Sequence, residues 1–194
     1  VFTRGARDAI HSRLSLVLGA AVAAQVDVTT FHAFACRVLG CAAASEEVSE
    51  AYLRGLYQGA TRLRGIPGIE TVRRNLVAHE AGDESVDPKV WPTIARLLYR
   101  MGETLAVPMW DALPRAEERL ADPDELDRHT VDHVIVDEAQ DVTPREARVA
   151  HLLGFNLAAV GDPRQAIMGF RGAVGLWPQG EVLTLTRSFR FGAH

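Results

Sequence analysis

Lysine is nearly missing from this sequence: Lys89 is the only one among 194 residues, although Lys and Arg together number 21. No Gly-Lys pair occurs, so a G-x-x-x-x-G-K-[ST] phosphate-cradling loop is excluded from these residues. Cysteine is scarce as well. Cys36 and Cys41 have no Cys or His cluster at zinc spacing beside them, and they read as reduced thiols. No apolar run reaches the roughly 18 residues of a membrane span. No basic segment followed by an apolar one marks a secretory signal. An initiator methionine is lacking, and Val1-Phe2-Thr3 reads as the end of a strand. The chain is therefore expected to be a fragment with its beginning missing, and it ends as abruptly on SFRFGAH. There is no internal repeat and no low-complexity tract. The net charge of -4 gives no overall basic character, so any nucleic-acid surface has to be a local patch.

What is present is an ordinary globular balance, 47% hydrophobic and 24% charged, enough for one large domain or a domain with an insertion. ARDAIHSRLSLVL, from Ala6 to Leu18, predicts a helix with Ile10, Leu14, Val17 and Leu18 on one face. QVDVTT, from Gln25 to Thr30, predicts a short strand, and FHAFACRVLG a helix that Gly40 stops. From Ser45 to about Arg128 the texture is mixed helix broken by Gly, Pro and Asp. One apolar stripe there holds Tyr52, Leu53, Leu56 and Tyr57, and another Ile94, Leu97 and Leu98. HVIVD, NLAAVGD and EVLTLT predict three further strands. Between the first two lies TPREARVAHLLG. Thr143 is its N-cap, Pro144 sits in its first turn, Glu146 completes a capping box, and Gly154 is its stop. Short apolar runs with helices between them point to an α/β fold, a parallel sheet covered on both faces.

The informative stretch is HVIVDEAQDVTPRE, from His133 to Glu146. Its apolar run ends on adjacent carboxylates, Asp137 and Glu138, which repel unless a cation lies between or beside them. Ligands of open parallel sheets sit outside the carboxyl ends of the strands. Asp162, in AVGDPRQ, ends the next strand, so one edge is expected to collect three carboxylates. A hard divalent cation, Mg²⁺ holding a polyphosphate, is the economical explanation. Asp137 would reach the metal and Glu138 would activate the attacking water. The plainer alternative is a set of solvated loop acids.

DEAQD, GDPRQAIMGFRGA and LTRSFRFG, in this order and spacing, resemble motifs II, III and IV of UvrD-type superfamily 1 DNA helicases. VTTFHAFACRVL and FTRGARDAIHSRL resemble motifs that precede them in that family. SFRFG and VPMWDAL are similar to the F-box DNA helicase branch. The resembling segments cover residues 1–40 and 131–194. The resemblance implies a RecA-like (P-loop NTPase) parallel sheet flanked by helices. Residues 1–44 and 129–194 would form a truncated first motor lobe, and residues 45–128 an inserted small helical subdomain.

Residue by residue, the resemblance implies that Asp137 coordinates the metal and that Glu138 is the catalytic base at the metal. Gln165 would sense the γ-phosphate and the attacking water, and Arg190 would reach the γ-phosphate. Phe189 would stack on adenine, or else be a core aromatic. Phe170 and Arg171 match an aromatic and an arginine that contact single-stranded DNA; Phe2, Thr3, Thr30 and His32 match positions along the DNA track. Phe170 stands where many relatives have Trp, Met168 replaces a common Tyr, and Ala166 a common Ser. Arg54, Arg62, Arg64, Arg73 and Arg74 either face duplex DNA or form a solvated helical face. The implied cofactors are ATP and Mg²⁺. The implied partners are single-stranded DNA, single-strand/duplex junctions and a second motor lobe in the parent chain, with no membrane. The implied setting is the bacterial cytoplasm (nucleoid) or a nucleus. The parent is expected to couple ATP hydrolysis to 3′-to-5′ movement, with these residues alone hydrolysing ATP poorly. Two other readings stand beside this one: a non-catalytic helicase-like module that binds DNA or protein, and another metal-dependent nucleotide hydrolase.

Overall fold

A computed structural model describes residues 4–43, 46–60, 68–83, 106–107 and 109–186. Three helices open the chain: α1 (Arg4–Leu18), α2 (Ala20–Ala23) and α3 (Phe31–Leu39). The boundaries of α3 follow from local chemistry. Thr30 Oγ1 accepts from Ala33 N at 3.1 Å, the usual N-cap bond. At the other end Gly40 takes φ 66°, and Cys41 N donates to Cys36 O at 3.0 Å. Helices α4 (Glu46–Ala60) and α5 (Ile69–Ala81) follow, then α6 (Met109–Arg119), α7 (Pro123–His129) and α8 (Pro144–Leu153).

Two parallel strand pairs organise these helices. β1 (Ala42–Ala43) pairs with β2 (Ala106–Val107), so the chain that leaves at residue 43 returns beside itself at 106. β3 (Val131–Val136) pairs with β4 (Gly154–Ala159) in the register Val134↔Leu157 and Val136↔Ala159. The crossover between them is α8, and its capping box forms as expected. Thr143 Oγ1 accepts from Glu146 N at 3.3 Å, and Glu146 Oε2 accepts from Thr143 N at 2.8 Å. Such caps contribute about 1 kcal/mol. Gly154 ends α8 and begins β4 with no loop between. A Cβ there would sit 2.6 Å from Val134 Cγ2, too close for any other residue without a shift.

One core gathers Phe34, Cys36 and Val38 of α3 with Leu113 and Ala116 of α6 and Val149 and Leu153 of α8. A second joins Val136, Val142, Ala150 and Leu176 under the β3–β4 pair. Each fully buried Leu or Val contributes about 1.5–3 kcal/mol relative to exposure. Asp111, in the first turn of α6, is buried with one carboxylate oxygen that accepts no hydrogen bond. Burial pushes its pKa up to about 6, against the partial relief given by Arg115 at 3.8 Å.

Several expectations are corrected. Residues 25–30 and 181–186 form no strand. A strand needs a neighbour to take its N–H and C=O groups, and neither segment has one among the described residues. Leu185 is 90% exposed there. Among the described residues the β3–β4 sheet is also not covered on both faces. α8 lies under Val134 and Val136, whereas Ile135, on the opposite face, is 72% exposed. Among the described residues the parallel pairing is confined to two two-stranded sheets, not one continuous RecA-like sheet. The stripe at Ile94, Leu97 and Leu98 lies outside the described residues.

Candidate functional site

Because β3 and β4 are parallel and in register, their carboxyl ends emerge at one edge. Asp137 and Glu138 follow β3 immediately. Glu138 has φ 53°, the only non-glycine with positive φ among the described residues. That conformation costs about 1–2 kcal/mol for a residue with a Cβ, so the surroundings must hold it. They do so with backbone bonds from Ala139 N to Val160 O (2.9 Å), Val160 N to Val136 O (2.8 Å) and Leu176 N to Ala139 O (2.8 Å).

The link between the two strand ends is the buried Gln140. Its Nε2 donates to Glu138 Oε2 at 2.6 Å, and its Oε1 accepts from Asp162 N at 3.0 Å. Asp141 completes the seam by accepting from Ile167 N and Met168 N at 3.2 and 3.1 Å. Gly161 is required by this closeness. A Cβ there would lie 2.3 Å from Gln140 Oε1 and 2.9 Å from Ala139 N. The amide oxygen can swing aside but the backbone nitrogen cannot. Gly161→Ala is therefore expected to cost about 1–3 kcal/mol, read as a lower midpoint in urea unfolding, and to loosen the Glu138–Gln140–Asp162 link.

Asp162 caps the short 3₁₀ turn Pro163–Gln165. Its Oδ1 accepts from Arg164 N, and its Oδ2 accepts from Gln165 Nε2, each at 2.9 Å. The Gln165 amide, then the Arg164 N–H, hold this carboxyl below its ordinary pKa. The three carboxylates expected at one edge stand there, Asp137 and Glu138 after β3 and Asp162 after β4. Among the described residues no group of three His, Cys, Asp or Glu side chains could hold a metal ion. The third acid is engaged by its own turn. The remaining pair still fits Mg²⁺, which takes one or two carboxylates and completes its shell with water and phosphate oxygens.

The residues expected on the DNA track separate into four groups. Thr30 is the cap of α3. His32 Nε2 lies 2.9 Å from Glu80 Oε1 of α5, and Arg171 Nη2 lies 3.7 Å from the same oxygen. Phe170 stands 80% exposed in the 3₁₀ turn Met168–Arg171. Phe2, Thr3, Phe189 and Arg190 lie outside the described residues. Of the arginines in the 45–128 segment, Arg54 pairs with Glu50, and Arg73 with Glu50 and Glu70. Those two belong to a solvated helical face; Arg74 is exposed, and Arg62 and Arg64 are outside the described residues.

Sequence reasoning missed Gln140 and Glu80 as site residues. Gln140 sits inside DEAQD, and its place among three acids was the available signal. Glu80 carried none, since its partners lie far off in the chain. Cys36, read as a reduced thiol, is free and buried, and burial raises its thiol pKa to about 11.

The sequence of this strand edge has counterparts among known proteins. Residues 107–175 match the UvrD/REP helicase N-terminal domain. That span runs from β2 through the 3₁₀ turn Met168–Arg171, and so holds Asp137, Glu138, Gln165, Phe170 and Arg171; Thr30 and His32 fall outside it. A 64-residue stretch is 44% identical to F-box DNA helicase 1 of Gallus gallus, covering 31% of this chain and 6% of that protein. A 68-residue stretch is 41% identical to F-box DNA helicase protein 1 of Schizosaccharomyces pombe, covering 31% of this chain and 8% of that protein. The chain thus spans less than a tenth of the length of these relatives. Among the described residues no helix is long and apolar enough to cross a membrane.

Proposed function

We propose that this chain is part of an ATP-dependent DNA helicase or translocase, the Mg²⁺-ATP-facing portion of its first motor lobe. The observation that carries this reading is the hydrogen-bonded line Glu138–Gln140–Asp162–Gln165 along one sheet edge. Asp137 would hold Mg²⁺ there. Mg²⁺ bound at this edge would offset phosphate charge and orient the terminal phosphoryl group. Glu138 takes the proton of the attacking water, and the Gln140 amide fixes one of its oxygens so that the other faces the water. Gln165 can turn its amide from Asp162 to a phosphate oxygen or the water without adding charge. Phe189 and Arg190 are assigned to adenine and to the γ-phosphate. Residues 1–44 and 129–194 would belong to the lobe and 45–128 to an inserted helical subdomain.

Phe170 is assigned to base stacking, worth about 1–3 kcal/mol per base and indifferent to sequence. Arg171, His32, Thr30, Phe2 and Thr3 are assigned to the DNA backbone. The names of the relatives support DNA as substrate; 3′-to-5′ polarity, junctions, a second lobe and a place with DNA in nucleoid or nucleus belong to the same proposal. Gln165 and Phe170 are five residues apart in one segment that Asp141 anchors. One small shift of that segment therefore links phosphate and base.

ATP hydrolysis by the full-length protein, measured with and without single-stranded DNA, tests the proposal. Gln165→Ala is expected to lower DNA-stimulated hydrolysis about a hundredfold while DNA affinity changes less than about twofold. Equal loss of both would argue against coupling through this segment. DNA binding with no hydrolysis by the wild type would favour a non-catalytic module.

A further inference from the structure

Glu80 is a single carboxylate that engages two of the residues assigned to DNA. Its Oε1 lies 2.9 Å from His32 Nε2 on α3 and 3.7 Å from Arg171 Nη2 in the turn after Phe170. The three side chains are only 17%, 17% and 32% exposed. The backbone beneath Glu80 is pinned. Arg145 of α8 donates through Nε to the carbonyls of His79 and Glu80 at 3.2 and 3.1 Å, and also pairs with Glu117. The end of α5 is pressed against the turn as well, since a Cβ on Gly172 would meet Ala81 Cβ at 3.0 Å. The position of Glu80 is thus imposed by the fold, and only its side chain is free to leave.

A carboxylate and a phosphodiester offer a guanidinium the same thing, an anionic oxygen in hydrogen-bonding reach. The Arg171–Glu80 pair and an Arg171–phosphate pair draw on the same donors. Phe170, one residue earlier, is meanwhile mostly presented to solvent. The stacking ring is free while the cation beside it is engaged.

We propose that Glu80 is an internal competitor for the nucleic-acid backbone, holding Arg171 and His32 until a phosphate of single-stranded DNA takes its place. This inference rests on the DNA-facing assignment of those two residues. It makes Glu80 a regulator of affinity supplied by a helix of the 45–128 segment.

The test is fluorescence-anisotropy binding of a labelled oligothymidine of about twelve nucleotides to the 194-residue chain and its variants. Glu80→Gln keeps an oxygen for His32 and removes the charge facing Arg171. It is expected to bind about three- to fivefold tighter, with a salt dependence steeper by about 0.7 in log–log slope. In an Arg171→Gln background the gain from Glu80→Gln is expected to vanish. A gain that persists there reflects net charge alone and overturns the proposal. Equal or weaker binding by Glu80→Gln, with wild-type binding intact, overturns the competitor role and leaves the DNA assignment standing. Binding by neither protein overturns both. If Glu80→Gln loses its thermal transition, Glu80→Asp, which draws the charge back by one methylene, is expected to tighten binding in the same direction; no gain there overturns the proposal.

Discussion

Glu138→Gln in the full-length protein is expected to lower ATP hydrolysis by about 10²–10⁴-fold, the range that general-base catalysis contributes, with nucleotide and DNA affinities nearly unchanged. The substitution is a clean one. Gln140 Nε2 donates to Glu138 Oε2, and the carbonyl oxygen of a glutamine can accept the same bond. The backbone at φ 53° is held by bonds that do not involve the side chain. What is removed is the ability to take a proton. A Glu138 that were only an exposed loop acid would give an unchanged rate, and steady-state kinetics distinguish the two outcomes directly. A matching fall in nucleotide affinity would instead assign Glu138 to holding the cation.

The second large effect concerns stability. Asp111 is buried in α6, and desolvation raises its pKa from 3.8 to about 6. Between those values the folded chain binds a proton that the unfolded chain has released. Stability contributed by this group is therefore present at low pH and declines as pH rises from about 4 to about 6. At neutral pH the full difference corresponds to about 3 kcal/mol of destabilisation. Asp111→Asn removes the buried charge and is expected to raise stability by about 1–3 kcal/mol at neutral pH, with the advantage shrinking towards zero near pH 4. Urea unfolding of both proteins across this range reads it. A variant less stable at neutral pH, by an amount independent of pH, would show that Asp111 is ionised and satisfied by Arg115.

The features legible in the sequence are those whose causes lie within a few residues. The Thr143–Glu146 capping box, the Gly40 stop and the acidic turn after β3 each follow from local bonding, and each stands where expected. The strands at 25–30 and 181–186 failed for the opposite reason. β propensity describes a residue that fits a pleated surface, and it creates no partner to complete the ladder. The site divides along the same line. Asp137, Glu138, Gln165 and Phe170 could be singled out as candidates because their spacing is itself the signal. Glu80 was not, because it meets His32 across 48 residues of sequence. Nor was the engagement of Asp162 by its own 3₁₀ turn.

The most direct test of the nucleotide-facing edge is paramagnetic broadening by Mn²⁺-ATP, with Mn²⁺ standing in for Mg²⁺, in ¹⁵N-labelled 194-residue chain. Amides of Asp137–Asp141 and of Asp162–Gln165 are expected to broaden first, and Asp137→Ala to abolish the effect. Sharp signals at both loops while amides elsewhere in the chain broaden would contradict a nucleotide role for this edge.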